Sequence, residues 1–343
     1  MNEAERETEF RERDDRLQEI ATRLGVRAER GRRFAELTSL HVGGAIDWVL
    51  SPQTEAQAAA LVYEMDAVGI GWRALGSGSN ILADDGDHHY VVLSLKDLKG
   101  ELQFDGERVS VPAGYSLPRL CIDVARNGLS GIEGLGGIPG TVGGALWMNA
   151  GAYGHEIGTV TETVRVAREG KVVEVPGDAI QWNYRHTSFK EGELLLGATL
   201  CLTPDDADKI RARMEDAKSR RMATQPHGSR SAGCFFKNPP ASEGGTGKII
   251  DEMGMKGARR GSALVSPVHA NFIVTEEGAL AEDALALAEE IRERVKREQG
   301  IELEYEVELW RANEPREQRL KNNPTIVASD ETPNKEPSEK EAT

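Results

Sequence analysis

Residues 137–152 read GIPGTVGGALWMNAGA, with five glycines, one proline and no charged side chain in sixteen positions. A backbone stripped this far lets a large flat partner lie directly on it. Thr141 and Asn149 add polar handles to a run of aliphatic residues. That composition suits a planar ring system with its pyrophosphate, so a dinucleotide is the expected ligand. A second small-residue loop, Leu75-Gly76-Ser77-Gly78-Ser79-Asn80, follows a strand-like run. Such a loop can turn several backbone N–H groups toward an anion, although a Gly/Ser segment after a strand also serves as a plain turn. From the two loops the candidate cofactor residues are Gly76, Ser77, Gly78, Ser79, Asn80, Gly137, Ile138, Gly140, Thr141, Gly143, Gly144, Asn149, Ala150 and Gly151.

Neither common nucleotide fingerprint is present. No GxGxxG opens a helix with an acidic residue ~20 positions on. Gly244-Gly245-Thr246-Gly247-Lys248 falls short of a P-loop, because the first glycine is missing and Ile249 stands where Ser or Thr should bind magnesium.

Composition narrows the function classes. The 343 residues carry a formal net charge of −15, which argues against nucleic acid as a partner. No apolar run approaches the ~20 residues of a membrane span, and the charged N-terminus MNEAERETEFRERDDR lacks the apolar centre of a signal peptide. A cytoplasmic protein without membrane insertion is expected, acting as a monomer. Three scattered cysteines without CxxC, and seven histidines without HExxH, give no sign of a disulfide framework or a metal site. Cys121 and Cys201 are expected in the core.

Periodicity predicts a mixed body. Residues 1–35 read as an added charged amphipathic helix, a solvated extension. Strands are expected at Ile46–Leu50, Trp72–Leu75, Val91–Leu95, Val109–Val111, Val160–Ala167, Lys171–Val175, Leu194–Leu200 and Ile301–Leu309. Helices are expected at Pro52–Val68, Ser116–Asn127, Asp205–Met222 and Leu280–Gln299. Ser116 can cap the second of these, and Gly128 can stop it. From Arg311 the chain is polar and aperiodic, and disorder is expected. Strands with interspersed helices, then a helix-rich segment, indicate an α+β protein of at least two domains.

LGSGSN, GIPGTVGGALWMNAGAYG, NYRHTSFK, AGCFFKNP, VHANFIV and GIELEYEVE occur in this order between residues 38 and 309. The ordered set resembles the UDP-N-acetylenolpyruvoylglucosamine reductases, flavoenzymes of peptidoglycan precursor synthesis also called UDP-N-acetylmuramate dehydrogenases. The resemblance implies FAD held in a two-lobed fold of the vanillyl-alcohol oxidase and p-cresol methylhydroxylase type, with NADPH as hydride donor. It also implies a C-terminal α+β substrate domain. The layout becomes an extension at 1–35, an FAD-binding domain at 36–203 with lobes at about 36–112 and 113–203, a substrate-binding domain at 204–310, and a tail at 311–343. The short link between Asn238 and Ile249 is similar to the family's second type. The implied substrate is UDP-N-acetylglucosamine enolpyruvate. Other FAD oxidases or dehydrogenases of the same fold, and a non-catalytic nucleotide-binding homologue, are the alternatives.

The implied reaction adds a hydride to the β-carbon of an enolpyruvyl ether and a proton to the α-carbon. Negative charge develops on the substrate carboxylate, so the site must stabilise an anion and supply one proton. By resemblance Arg185 is the catalytic arginine, and its guanidinium suits a carboxylate. Alone it would read as a surface ion-pair residue. Glu306 matches the catalytic carboxyl, serving as a donor if protonated or orienting one. On a strand it would share one face with Glu302, Glu304 and Glu308. Cys234 stands where the family commonly has a serine proton donor, and a thiol of pKa about 8.5 is mostly protonated at neutral pH. Tyr184, Asn238, His269 and Asn271 are the implied substrate residues, His269 serving equally well as a structural histidine. Thr224 replaces a lysine common in the family, leaving the diphosphate to Arg220 or Arg221.

Overall fold

A computed structural model describes residues 3–98, 100–190, 192–240 and 244–312. The tail expected beyond Arg311 lies outside the described residues from 313 on. Helix α1, Glu3–Leu24, forms as its composition suggests, but it is not a solvated extension. Leu17, Ile20 and Ala21 fall on one helical stripe and are buried in the first core with Leu61 and Met65. The polar face docks too: Arg13 pairs with Asp47 at 2.6 Å, and the Trp48 indole donates to Asp14 at 2.8 Å.

The first lobe follows in β1 (Ala45–Ser51), α2 (Glu55–Ala67), β2 (Trp72–Leu75), β3 (Ile81–Ala83) and β4 (His88–Ser94). Strand β4 lies between β1 and β2, parallel to both, and Arg27–Glu29 adds an antiparallel edge. Thr54 and Gln57 form a capping box at the start of α2, and Gly69 follows its end at φ 71°.

The second lobe holds β5 (Arg108–Pro112), α3 (Leu117–Arg126), α4 (Val142–Trp147), β6 (Thr161–Arg168), β7 (Lys171–Pro176) and β8 (Leu194–Cys201). The sheet is antiparallel in the order β7-β6-β8-β5, with Gln103–Asp105 outermost. Cys121 on α3 is buried as expected, whereas Cys201, the last residue of β8, is exposed. The alternation of the strand carries it outward where the sheet ends.

Helix α5 (Ala207–Thr224) packs on the second lobe rather than on the segment that follows it. Its Met214 lies against that core, and Arg213 pairs with the buried Glu133 at 2.8 Å. The last segment comprises α6 (Gly245–Glu252), β9 (Ala263–Val265), β10 (Ile273–Thr275), α7 (Ala281–Gln299) and β11 (Glu308–Trp310). Leu40, Val42 and Leu82 of the first lobe enter its core, and β11 returns to pair in parallel with β3.

The strand expected over Ile301–Leu309 shrinks to β11 and a single bridge at Tyr305. Leu303 and Val307 are buried in the third core, as an alternating pattern requires. The backbone between them instead bonds piecemeal to Phe235, Lys237 and Asn80. The four glutamates therefore do not share an exposed face. Glu302 and Glu304 pair with Lys296 and Lys237, Glu306 is buried against Arg185, and Glu308 accepts from the indoles of Trp147 and Trp310.

Candidate active site

The two small-residue loops face each other. Ser79 Oγ donates to the Pro139 carbonyl at 2.7 Å, and the Gly78 carbonyl accepts from Ser39 N–H at 3.0 Å. Close approach within the protein explains several of the glycines. A Cβ on Gly76 would sit 2.4 Å from Thr141 Oγ1, and one on Gly143 would sit 2.9 Å from the Cβ of Ala113. Gly140 and Gly144 differ. A Cβ there would meet nothing nearer than Ser79 Oγ at 3.6 Å and Thr141 Oγ1 at 3.7 Å respectively. So part of the stripped backbone is packed on by protein, whereas Gly140 and Gly144 have room for a side chain, and Gly144 is exposed where a flat ligand can lie.

Gly151 closes the stretch. Its carbonyl accepts from Arg185 Nη2 at 3.1 Å, and a Cβ there would sit 2.9 Å from Glu156 Cγ and 3.2 Å from the His155 carbonyl oxygen. Arg185 turns the short hairpin between Trp182–Asn183 and His186–Thr187 in left-handed conformation, φ 55°. A non-glycine residue held there costs of order 1–3 kcal/mol, and such strain clusters at functional positions. Asn149, also left-handed and buried, secures this hairpin. Its Nδ2 donates to the Asn183 carbonyl and to Glu156, both at 3.1 Å, and its Oδ1 accepts from Gly158 N–H at 3.1 Å.

Arg185 Nε donates to Glu306 Oε1 at 2.7 Å, and both side chains are largely buried. Burial raises the pKa of Glu306, with Arg185 and Lys237 pulling the other way. Half-buried Cys234 lies in the same cluster. Burial and the Glu306 charge push its thiol up to about 12, against the opposing influence of Arg185 and Arg221. A thiol of that pKa keeps its proton across the whole physiological range, unlike one of ordinary acidity. Arg185, Cys234 and Glu306, spread over 122 positions of sequence, thus meet at one point.

Residues 46–176 match an FAD binding domain, and residues 225–310 match the C-terminal domain of UDP-N-acetylenolpyruvoylglucosamine reductase. The reductase of Geobacter metallireducens is 40% identical over 280 residues, 82% of this chain and 93% of its own. The chain belongs to the UDP-N-acetylenolpyruvoylglucosamine reductase family. That of Thermotoga maritima is 36% identical over 274 residues, 80% of this chain and 95% of its own. The crystal structure of the Thermus caldophilus reductase matches with a TM-score of 0.71 at 36% identity, covering 83% of this chain and 99% of that one. The α+β architecture is therefore that of the reductases, an FAD-binding domain followed by the family's C-terminal domain.

The remaining candidates divide. The Tyr184 ring lies 4.9 Å from the Arg185 guanidinium and is partly open to solvent. Asn238 Oδ1 accepts from Thr246 N–H at 2.9 Å at the start of α6. Asn271 is buried and clamps the strand-like run after Cys234: its Oδ1 accepts from Phe236 N–H at 3.0 Å, and its Nδ2 donates to the Phe236 carbonyl at 2.7 Å. His269 Nδ1 accepts from Asn271 N–H at 3.2 Å, and its ring packs edge-on against Phe272. Burial lowers its pKa, so it is neutral. Of the two arginines on α5, Arg220 is exposed and pairs with Asp216. Arg221 is half-buried, rests on Gly137, and makes no side-chain hydrogen bond or ion pair among the described residues. Burial depresses its pKa, and it lies near Tyr153 and Cys234. The helix pattern distinguishes the two, because Arg221 continues the inward stripe of Ile210, Met214 and Ala217.

Proposed function

We propose that the chain is an NADPH-dependent flavoenzyme that reduces UDP-N-acetylglucosamine enolpyruvate to UDP-N-acetylmuramate, in the cytoplasm and as a monomer. The observation that carries this reading is the convergence of Arg185, Glu306 and Cys234, together with glycine loops whose Gly144 is exposed and uncrowded. Those loops, Gly76–Ser79 and Gly137–Gly144, would hold FAD. When bound, FAD supplies the hydride, taken from NADPH and delivered to the β-carbon of the enolpyruvyl ether.

The side chains answer the charge that this delivery creates. Two of the five N–H donors of Arg185 are spent on Glu306 and Gly151, which leaves three for the substrate carboxylate. Because its orientation is fixed beforehand, no reorganisation is needed as charge builds. Glu306 accepts from Arg185 on Oε1, and burial raises its pKa; it assists the developing anion as a donor when protonated, or by orienting the Arg185 donors. Cys234 Sγ–H gives its proton to the α-carbon. A thiol is a stronger acid than the serine hydroxyl it replaces, so it meets the donor role. Arg221 takes an anionic part of the nucleotide-sugar, because a half-buried guanidinium without a side-chain partner among the described residues calls for one.

The test is turnover. NADPH should be consumed only when the enolpyruvyl nucleotide is present, one equivalent per lactyl ether formed, as read by absorbance and product mass. Flavin-loaded protein that oxidises an alcohol and ignores the enolpyruvyl ether would contradict the proposal.

A further inference from the structure

We infer that Asn80 is a positioning residue for Glu306 rather than a ligand of the cofactor, an inference that rests on the catalytic role of Glu306 proposed above. Glu306 lies in the irregular stretch between α7 and β11, where no continuous ladder fixes the backbone. Two contacts hold it. On one side Glu306 N–H donates to the Phe235 carbonyl at 3.0 Å, tying it to the residue after Cys234. On the other side Asn80 brackets it, since the Asn80 carbonyl accepts from Glu308 N–H at 2.9 Å and Asn80 Nδ2 donates to the Glu306 carbonyl at 3.0 Å.

The register explains why asparagine does this. Strands β3 and β11 run parallel with Ile81 opposite Glu308, so one step outward Asn80 stands opposite Val307. In a parallel ladder a residue bonds the partners on either side of the one it faces, through its own N–H and C=O. Asn80 keeps the C=O half of that pattern, and its side-chain amide takes the place of the N–H half. The ladder is thereby extended to Glu306, although the chain before Asn80 has already turned into the small-residue loop. A side chain with no donor leaves the Glu306 carbonyl without this bond and frees the segment that carries the carboxyl. The same residue links the loop 76–80 to the acid, so the loop's place and the carboxyl's place are set together.

A double-mutant cycle tests this. Asn80→Ala should retain stoichiometric flavin with unchanged FAD affinity and reduction by NADPH at the wild-type rate. It should slow substrate reduction about tenfold with little change in KM, in line with a positioned acid made mobile. In a Glu306→Ala background the same change should slow it less than about twofold, because a residue acting only through Glu306 has nothing left to position. The near-isosteric Asn80→Asp, which keeps size and loses the donor, should behave as Asn80→Ala. Loss of flavin from either Asn80 variant overturns the inference and makes Asn80 a cofactor ligand. Additive losses in the cycle overturn it too. If Glu306→Ala alone leaves substrate reduction intact, the catalytic reading of Glu306 fails first, and the inference falls with it.

Discussion

The adjacent glycines 143 and 144 should fail in different ways when given side chains. At Gly144 a Cβ meets no protein atom nearer than 3.7 Å, and Gly144 lies inside helix α4. Valine there is a better helix former than glycine by a few tenths of a kcal/mol, so the apoprotein should melt at or slightly above the wild-type temperature. The added carbons enter the space assigned to FAD. Overpacking of ~1–3 kcal/mol charged to binding alone corresponds to a roughly 5- to 150-fold loss of FAD affinity. At Gly143 a Cβ would sit 2.9 Å from the Cβ and 3.3 Å from the carbonyl oxygen of fully buried Ala113. Gly143→Ala should therefore cost the fold ~1–3 kcal/mol, offset by up to ~1 kcal/mol of helix propensity, and leave FAD affinity little changed. Titration of FAD into apoprotein, with thermal melts of the same samples, separates the two. A Gly144→Val protein that binds FAD with unchanged affinity, or whose apoprotein melts far below wild type, would refute the placement.

Cys234→Ala should reduce the enolpyruvyl substrate ~10²–10⁴ times more slowly and accept electrons from NADPH normally in stopped flow, whereas Cys234→Ser should keep substantial activity. Unimpaired substrate reduction by the alanine variant would return Cys234 to a packing role. With its thiol pushed up to about 12, no alkaline limb from Cys234 should appear at working pH, and iodoacetamide should modify exposed Cys201 first; peptide mapping reads the order. Burial raises the pKa of Glu306, so in the donor role proposed for its protonated form substrate reduction should fall as pH rises through that pKa. Glu306→Gln keeps a donor and should lose that dependence, and a pH profile that it shares with wild type would sink the assignment. Leu17→Ala should destabilise the fold by ~2–5 kcal/mol, because the side chain is fully buried in the first core; a denaturant melt unchanged from wild type would show α1 to be dispensable.

Local signals were legible where local physics decides. Trp72–Leu75 is a strand with the expected bounds, and Ser116 and Gly128 delimit α3 as their chemistry predicts. The proposed catalytic trio could be named from motifs, but nothing in the sequence shows that residues 185, 234 and 306 meet. The asparagines carry contacts that no motif shows. Asn80, Asn149 and Asn271 each spend side-chain bonds on backbone groups, for Asn80 at a separation of 226 positions. The stretch 301–309 misled because its buried Leu303 and Val307 alternate as a strand would, while its backbone partners come from two distant segments, 235–237 and Asn80. Burial of α1 was readable in principle from the i, i+3, i+4 spacing of Leu17, Ile20 and Ala21, but the surrounding charge masked it.

The central claim is that the two glycine loops hold a flavin and that the Arg185–Cys234–Glu306 cluster passes its electrons to an enolpyruvyl ether. The anaerobic visible spectrum of the purified protein tests it directly. The account predicts a flavin band that bleaches on adding NADPH and returns in full on adding UDP-N-acetylglucosamine enolpyruvate. A band that bleaches and stays bleached in the presence of that substrate, and recovers only when air is admitted, would contradict it.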